Sequence, residues 1–173
     1  MSDFLADLLG EFRRHKSLAD RAMVQLSDQE FLQRPATHVN PVALIVKHLA
    51  GNLVSRWTDF LSTDGEKPSR DRDGEFLLTD QDTRADLLAA WERGWKTLLD
   101  TVHSLRDADL DRVVTIRGEG QTARQALLRA VTHIAYHTGQ ILYLVRWLRP
   151  DSTWLTIPPG QSRGQPGTYR KSP

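Results

Sequence analysis

The sequence predicts an all-α protein, a helix bundle with a long crossover connection between its second and third helices. Three observations support this prediction. Apolar residues recur at helical spacing in four long segments. Capping and helix-breaking residues stand where these helices would begin and end. A charged stretch rich in glycine and proline separates the second segment from the third, and bundles of this kind bury sites between facing helices.

The first helix is predicted from an apolar series that begins at Phe4 and ends at Leu26. Acidic and basic residues alternate with this series, as expected for a helix with one face in the core and one in water. A short helical turn should follow, because Ser27 and Glu30 have the spacing of a capping box. We expect Pro35 to end that turn.

The second helix is predicted to begin with Asn40 as its N-cap and Pro41 at its first helical position, and to run to about Leu61. Residues 62–80 are too rich in glycine, proline and charge for a continuing helix. We interpret them as an ordered crossover loop. A loop of this length is either a functional lid or a simple connection between helices.

The third helix is predicted to start near Asp82 or Thr83 and to bury Trp91 and Trp95 as core residues. Between residues 107 and 121 the chain carries an aspartate-rich turn, a short apolar run and two glycines. This pattern predicts a brief strand followed by a turn. The third helix should therefore be separated from the fourth by a small extended element.

The fourth helix is predicted over residues 123–148 and opens with a second capping box, Thr122 and Gln125. Because it is apolar on most sides, we expect it to be the most buried helix. The domain is predicted to span residues 1–162. Residues 163–173 are rich in glycine, proline, serine, glutamine and arginine and are expected to form a flexible C-terminal tail.

Composition limits the partners, the cellular location and the metal ligands that the protein could have. The chain has 173 residues, which is enough for one domain whose core needs no structural metal. Lysine and arginine number 23 against 22 acidic residues, without a basic block, so we expect no nucleic-acid partner. No segment has the pattern of a signal peptide or a membrane span, which predicts a cytoplasmic protein without a membrane partner. With no cysteine, any metal must be held by nitrogen and oxygen atoms.

Two histidines of the fourth helix, His133 and His137, stand four positions apart and therefore project from one face. That face otherwise carries apolar and small residues, which directs both imidazoles into the protein. The pair is a two-ligand metal template, although histidines satisfied within a core give the same pattern. A third ligand must come from another helix. His48 lies on a polar stripe of the second helix, and His15 on the first helix is the competing candidate.

Imidazole ligands without sulfur suit zinc, nickel, iron, cobalt or copper better than magnesium or calcium, and three would leave coordination positions open. Asn52 could orient a ligand, hold metal-bound water or meet substrate, or form an interhelical amide bond. Arg56 could bind an anion or pair with an acid. Tyr136 and Gln140 could donate hydrogen bonds to substrate, or Tyr136 could be buried with its hydroxyl satisfied.

The chain resembles the DinB-like (YfiT-like) superfamily, and within it a bacterial branch of unknown function. The resemblance spans nearly the whole chain and rests on Ile45-Val-Lys-His-Leu-Ala-Gly-Asn52, on Ser55-Arg-Trp-Thr-Asp-Phe-Leu61 running into Asp64-Gly-Glu-Lys67, on His133-x3-His-Thr-Gly-Gln-Ile141 and on Ile157-Pro-Pro-Gly-Gln-Ser162. It implies a four-helix bundle, often dimeric, in which three histidines bind a divalent metal between helices. Carried onto this sequence, those ligands are His48, His133 and His137, and His15 is excluded.

The relatives implied by this resemblance include thiol-dependent enzymes, namely bacillithiol transferases, a mycothiol-dependent maleylpyruvate isomerase and glutathione-using proteins. The resemblance therefore implies a homodimeric, metal-dependent thiol S-transferase that uses zinc, nickel or iron, a low-molecular-weight thiol and a small-molecule substrate. Two alternatives stay open: a hydrolase that uses metal-bound hydroxide, and a non-enzymatic stress-response or binding module braced by its metal. No acidic residue beside the histidines in sequence offers a general base, which counts against the hydrolase.

Overall fold

The computed structural model describes residues 3–161 and residue 163. This part of the chain is mostly helical, as predicted, and adds one antiparallel β-hairpin. We call residues 58–83 the α3–α4 loop; it contains one 3-10 turn, Gly74–Phe76. Apart from residue 163, the predicted tail lies outside the described residues. The elements are α1 Asp3–Met23, α2 Asp28–Leu32, α3 Val42–Trp57, α4 Arg84–Ser104, β1 Val113–Ile116, β2 Glu119–Thr122 and α5 Ala123–Leu148.

Three of the helices begin where the sequence places their caps. At α2, the Glu30 N–H donates to Ser27 Oγ at 3.3 Å and the Ser27 N–H donates to Glu30 Oε2 at 2.7 Å. At α5, Thr122 and Gln125 exchange the same two bonds, at 2.9 and 3.2 Å. The Thr83 side chain caps α4. Both predicted capping boxes are therefore confirmed. They could be predicted because the pattern depends only on residues close together in sequence.

The predicted bounds of α3 are wrong at both ends. Pro41 occupies the N-cap position, without a side-chain cap, so Asn40 lies outside the helix. The helix also ends four residues before Leu61. The Thr58 hydroxyl donates to the backbone carbonyl four residues earlier at 2.7 Å, and Asp59 adopts a φ of 50°. A left-handed residue directly after the last turn stops the helix, and no periodicity in the sequence predicts it.

The most buried helix is α3, not α5 as predicted. Of its 16 residues 11 are buried, whereas 8 of 26 are buried in α5. The reason lies in the packing: α3 contacts α2, α4, α5 and the 3-10 turn of the α3–α4 loop, whereas α5 packs mainly on α1. The outer face of α5 leaves Tyr143 and Trp147 exposed. The predicted core residues Trp91 and Trp95 are fully buried on α4.

The β-hairpin is attached to the α3–α4 loop through Asp64. The Asp64 carboxylate accepts the backbone N–H groups of Arg117 and Gly118, at 2.9 and 2.8 Å, and that of Glu66 within the loop, at 2.7 Å. Arg117 and Gly118 have φ values of 57° and 76°, as a tight hairpin turn requires. These N–H groups, with that of Gly118 contributing most, hold the pKa of Asp64 well below its usual range.

The four long helices share one core with the short helix and the hairpin. The predicted strand is present, and it is paired with a second strand that the sequence did not indicate. Within residues 3–161, no helix is both long and apolar enough to cross a membrane.

Candidate metal centre

Three histidines converge between α3 and α5. His48 lies in the middle of α3, and His133 and His137 lie one turn apart on α5. One nitrogen of each imidazole lies within 4.8 Å of the others, and the Nε2 atoms of His48 and His133 are 3.3 Å apart. Two nitrogens bound to one tetrahedral ion at ordinary zinc distances would lie roughly 3.4 Å apart. The pair His48 and His133 has this spacing, and the three histidines together could hold one metal ion.

The imidazole of His48 is oriented by a buried ion pair from the α3–α4 loop. Its Nδ1 donates to Glu75 Oε2 at 2.9 Å. The guanidinium of Arg70 holds the same carboxylate from the other side, with both bonds at 2.7 Å. Because an ionised carboxylate only accepts hydrogen bonds, Nδ1 of His48 carries a proton, and in the neutral imidazole the lone pair lies on Nε2, toward His133.

The imidazole of His137 is oriented by its own helix. Its Nδ1 donates to Gln140 Oε1 at 2.8 Å, three residues further along α5. This bond again leaves the Nε2 lone pair free. Gln140 is predicted as a donor to substrate or water; its Oε1 accepts the proton of His137, and its amide NH2 group keeps that donor capacity.

The protonation states suit metal binding. Burial lowers the pKa of His133 to about 3, with further lowering by neighbouring positive charges, and burial lowers that of His137 to about 4. Both rings are therefore neutral at pH 7 and present lone pairs. Burial raises the pKa of Glu75, but hydrogen bonds from His48 and Arg70 outweigh it and hold the pKa below its usual value. The carboxylate thus stays ionised beside His48.

The approach of Glu75 to His48 depends on a glycine in α3. A Cβ atom built on Gly51 would lie 2.1 Å from Glu75 Oε1, closer than any real contact. The Phe76 ring covers His48 from the same turn, with its centroid 4.8 Å from that of the imidazole. The 3-10 turn of the α3–α4 loop therefore seats directly on this part of α3 because residue 51 lacks a side chain.

The donor set fits a divalent transition metal. Neutral imidazoles without thiolates suit zinc, nickel or iron, and three ligands leave coordination positions open. Two of the three rings also have the outer hydrogen bond that metal-binding histidines usually make. The competing candidate, His15, is not part of the cluster. It lies on α1 with its Nε2 3.7 Å from Glu11.

A cavity of about 550 Å³ opens beside His48 and His133. The three predicted site residues Asn52, Arg56 and Tyr136 all line it. The Asn52 amide has no hydrogen-bond partner within residues 3–161, so of the roles left open for it the interhelical amide bond is not formed there.

The other two predicted site residues differ in exposure. Tyr136 is 52% exposed, not buried, and its ring centroid lies 5.1 Å from that of His133. Partial shielding from water raises the pKa of the Tyr136 hydroxyl, so it remains a donor at neutral pH. Arg56 is mostly buried and contacts Glu66 of the α3–α4 loop at 3.5 Å. Both side chains can therefore meet a molecule that enters the cavity.

The sequence did not reveal Glu75 and Arg70. They lie in a loop without periodicity, so nothing in the pattern fixes the direction of their side chains. The one available signal was indirect: a buried histidine ligand needs a partner for its second nitrogen, and the α3–α4 loop contains several carboxylates.

A mostly helical protein with three convergent imidazoles beside a cavity defines a candidate metal-binding protein. The chain belongs to the family described as "Protein of unknown function (DUF1572)", whose model matches residues 1–161. No curated protein matches the sequence.

Proposed function

We propose that this protein is a metal-dependent enzyme that activates a low-molecular-weight thiol for transfer to an electrophilic small molecule. The observation that carries the proposal is a cluster of three convergent histidines at the edge of a cavity, in a chain without cysteine. His48, His133 and His137 would hold the ion, with zinc, nickel or iron as candidates. The bound metal would supply the positive charge that lowers the pKa of a thiol and favours the thiolate.

The chain's own side chains would prepare and position the reactants. Glu75 and Gln140 hold the imidazoles of His48 and His137 in fixed orientations. The Asn52 amide and the Tyr136 hydroxyl face the cavity and can donate hydrogen bonds to the thiol compound or to the electrophile. Positioning of two reactants in one cavity lowers the barrier by removing their freedom to separate and rotate.

The lining of the cavity favours a thiol over water as the nucleophile. Hydrolysis benefits from a general base beside the attacking water. Among the described residues that line the cavity there is no carboxylate. Glu75, which is in contact with His48, is already bound by that ring and by Arg70. A thiol that ionises at the metal needs no such base in the protein.

We also propose the DinB-like fold assignment and a domain that spans residues 1–162. The long helices α1, α3, α4 and α5 would form a four-helix bundle, and the α3–α4 loop would be its crossover. Packing of α1 on α5 and α4, and of α3 on α4 and α5, supports this arrangement. The homodimer is proposed from the resemblance alone, and light scattering on the purified protein would test it.

The test of the activity is thiol conjugation to a model electrophile, 1-chloro-2,4-dinitrobenzene, by protein loaded with zinc, nickel or iron. Glutathione and bacillithiol would serve as cosubstrates. We expect turnover that disappears in His133→Ala and in His137→Ala but persists in His103→Ala, which removes an exposed histidine from the end of α4. Unchanged turnover in the first two variants would contradict the proposal.

Two other outcomes would replace the proposal. Thiol-independent hydrolysis of esters by the metal-loaded protein would assign a hydrolase. A folded protein with bound metal, no turnover and no affinity for either thiol would assign a binding module in which the metal braces α3 and α5.

A further inference from the structure

Five arginines line the cavity beside the histidines, while no described lining residue is acidic. Four of these guanidinium groups contact carboxylates outside the lining, and the fifth, Arg129, contacts none within the described residues. The whole chain has a net charge of only +1, so this concentration of positive charge is local. Such a cavity attracts anions. The five residues are Arg56, Arg70, Arg72, Arg117 and Arg129.

The ion pairs around the cavity differ in the distance between their charged atoms. Arg70 holds Glu75 at 2.7 Å, the distance of a strong charge-assisted bond. By contrast, a single oxygen, Glu66 Oε2, is shared by Arg56 at 3.5 Å and by Arg70 and Arg117 at 3.3 Å each. One carboxylate thus serves three guanidinium groups at loose distances, and most donors of Arg56 and Arg117 remain available to another acceptor.

Arg56 shows most clearly that the arginines of the cavity lack hydrogen-bond acceptors. Its Nη1 atom is buried and has no hydrogen-bond partner within the described chain. The guanidinium is charged at any physiological pH, and a buried donor without an acceptor is costly. Burial lowers the pKa of Arg56, and the positive charges of Arg70, Arg129 and Arg117 lower it further, against the opposing effect of Glu66. All four arginines line the same cavity and can therefore act on one ligand.

Arg129 provides a free guanidinium at the rim. It is exposed on α5, one turn before His133, and forms no ion pair or side-chain hydrogen bond within residues 3–161. It faces the same cavity as Arg56 and as Arg117, whose side chain is 57% exposed on the hairpin turn. Cations from α3, α5 and the hairpin therefore surround one space.

The rest of the lining combines polar side chains with an apolar group. Trp57, Phe60, Ile116 and Ala126 contribute to the same cavity. A ligand that satisfied both kinds of surface would carry an acidic group and an apolar body. At about 550 Å³, the cavity is in the size range of sites for small organic molecules.

We infer that Arg56, Arg117 and Arg129 form an oxyanion subsite, and that the ligand of the cavity is a small organic acid whose carboxylate or phosphate binds there. Its apolar body lies against the tryptophan and phenylalanine, and its other end faces the histidines. This inference deepens the proposed function by naming the substrate class. The binding of the acidic group itself does not depend on the metal.

The test is calorimetric titration of the full chain after treatment with a chelator, so that the probes cannot bind a metal ion. The probes are benzoate and its neutral analogue benzamide. We expect saturable binding of benzoate and affinity for benzamide that is lower by roughly tenfold or more, because the neutral amide loses the charge-assisted bonds.

Two variants locate the subsite. Arg129→Gln should weaken benzoate binding roughly tenfold, as should Arg56→Lys, which keeps the charge but loses the planar fork. Arg93→Gln removes an exposed helical arginine outside the cavity and should have no effect. If Arg56→Lys fails to fold, Arg129→Gln decides alone, because Arg129 is exposed and forms no ion pair within the described part of the chain.

Equal affinity for benzoate and benzamide, or benzoate binding unchanged by Arg129→Gln, would overturn the inference. Phenyl phosphate distinguishes the two acids: tighter binding than benzoate supports a phosphate monoester, and weaker binding supports a carboxylic acid. If the wild-type protein turned over thiol but did not bind benzoate, this inference alone would be wrong. If the wild-type protein bound benzoate but showed no thiol turnover when loaded with metal, the proposed function alone would be wrong.

Discussion

The two sides of the candidate metal centre orient their histidines in opposite ways. On the α3 side, buried His48 is held by the ionised carboxylate of Glu75, which comes from a distant loop and is itself fixed by Arg70. On the α5 side, half-buried His137 is held by the neutral amide of Gln140 on the same helix. The first arrangement is long-range and charged, and the second is local and neutral. We therefore expect the first to matter more for metal affinity.

The largest effect is expected from Glu75→Gln. The substitution keeps the shape of the side chain but removes the charge that fixes the proton of His48 on Nδ1. Metal affinity should fall by about 10–100-fold, as is usual when an outer-shell partner is lost. Competition with a chromophoric chelator measures this. Glu119→Gln, an exposed glutamate on the hairpin, is the matched control. Affinity within about twofold of wild type in Glu75→Gln would show that the loop side contributes nothing.

A slightly smaller loss is expected from Gly51→Ala. The new Cβ atom would lie 2.1 Å from Glu75 Oε1 and must push the carboxylate away from His48. Alanine favours a helix over glycine by about 1 kcal/mol, so a fall in affinity of about tenfold would not come from a weaker α3.

Gly10→Ala makes the same change on α1, where a Cβ atom would have open space. It should leave metal affinity unchanged. If Gly51→Ala also left affinity unchanged, the position of Glu75 would be irrelevant to the site.

A smaller effect is expected on the other side, from Gln140→Ala. The lost bond is neutral and exposed, and the His137 ring can donate its proton to water instead. Affinity for the metal should fall less than about tenfold in the same chelator competition. A loss greater than that of Glu75→Gln would reverse the comparison between the two sides.

The smallest effect on the metal is expected from Asp64→Asn, which loosens the hairpin from the α3–α4 loop without touching the histidines. The midpoint temperature of thermal unfolding should fall by a few degrees, and metal affinity should be unchanged. Because the native pKa of Asp64 is lowered, its contribution is present at neutral pH. It is lost as the pH falls below about 3.9 toward the native pKa, and the variant should lack this dependence. An equal loss of stability at all pH values would contradict this assignment.

The same contrast explains what the sequence could predict. The bounds of α5 and the pairing of His133 with His137 follow from capping residues and helical spacing, which are local. His48 could be proposed because it lies on a polar stripe of another helix. Each of these inferences needed only residues a few positions apart.

Features set by distant parts of the chain were missed. One missed feature is local: α3 ends because Asp59, two residues beyond it, adopts a left-handed conformation that no periodicity indicates. The deep burial of α3 depends instead on the distant elements that pack around it. Glu75 and Arg70 reach the site from a loop that has no repeating pattern. These contacts join residues that are far apart in sequence, so neither residue spacing nor composition predicts them.

The central claim is that His48, His133 and His137 hold one divalent metal ion. Elemental analysis of protein purified without added metal tests it most directly, with the triple variant His48→Ala, His133→Ala and His137→Ala beside the wild type. We predict about one transition-metal ion per chain in the wild type and essentially none in the variant. Equal metal content in the two proteins, or no stoichiometric metal in either, would contradict the claim.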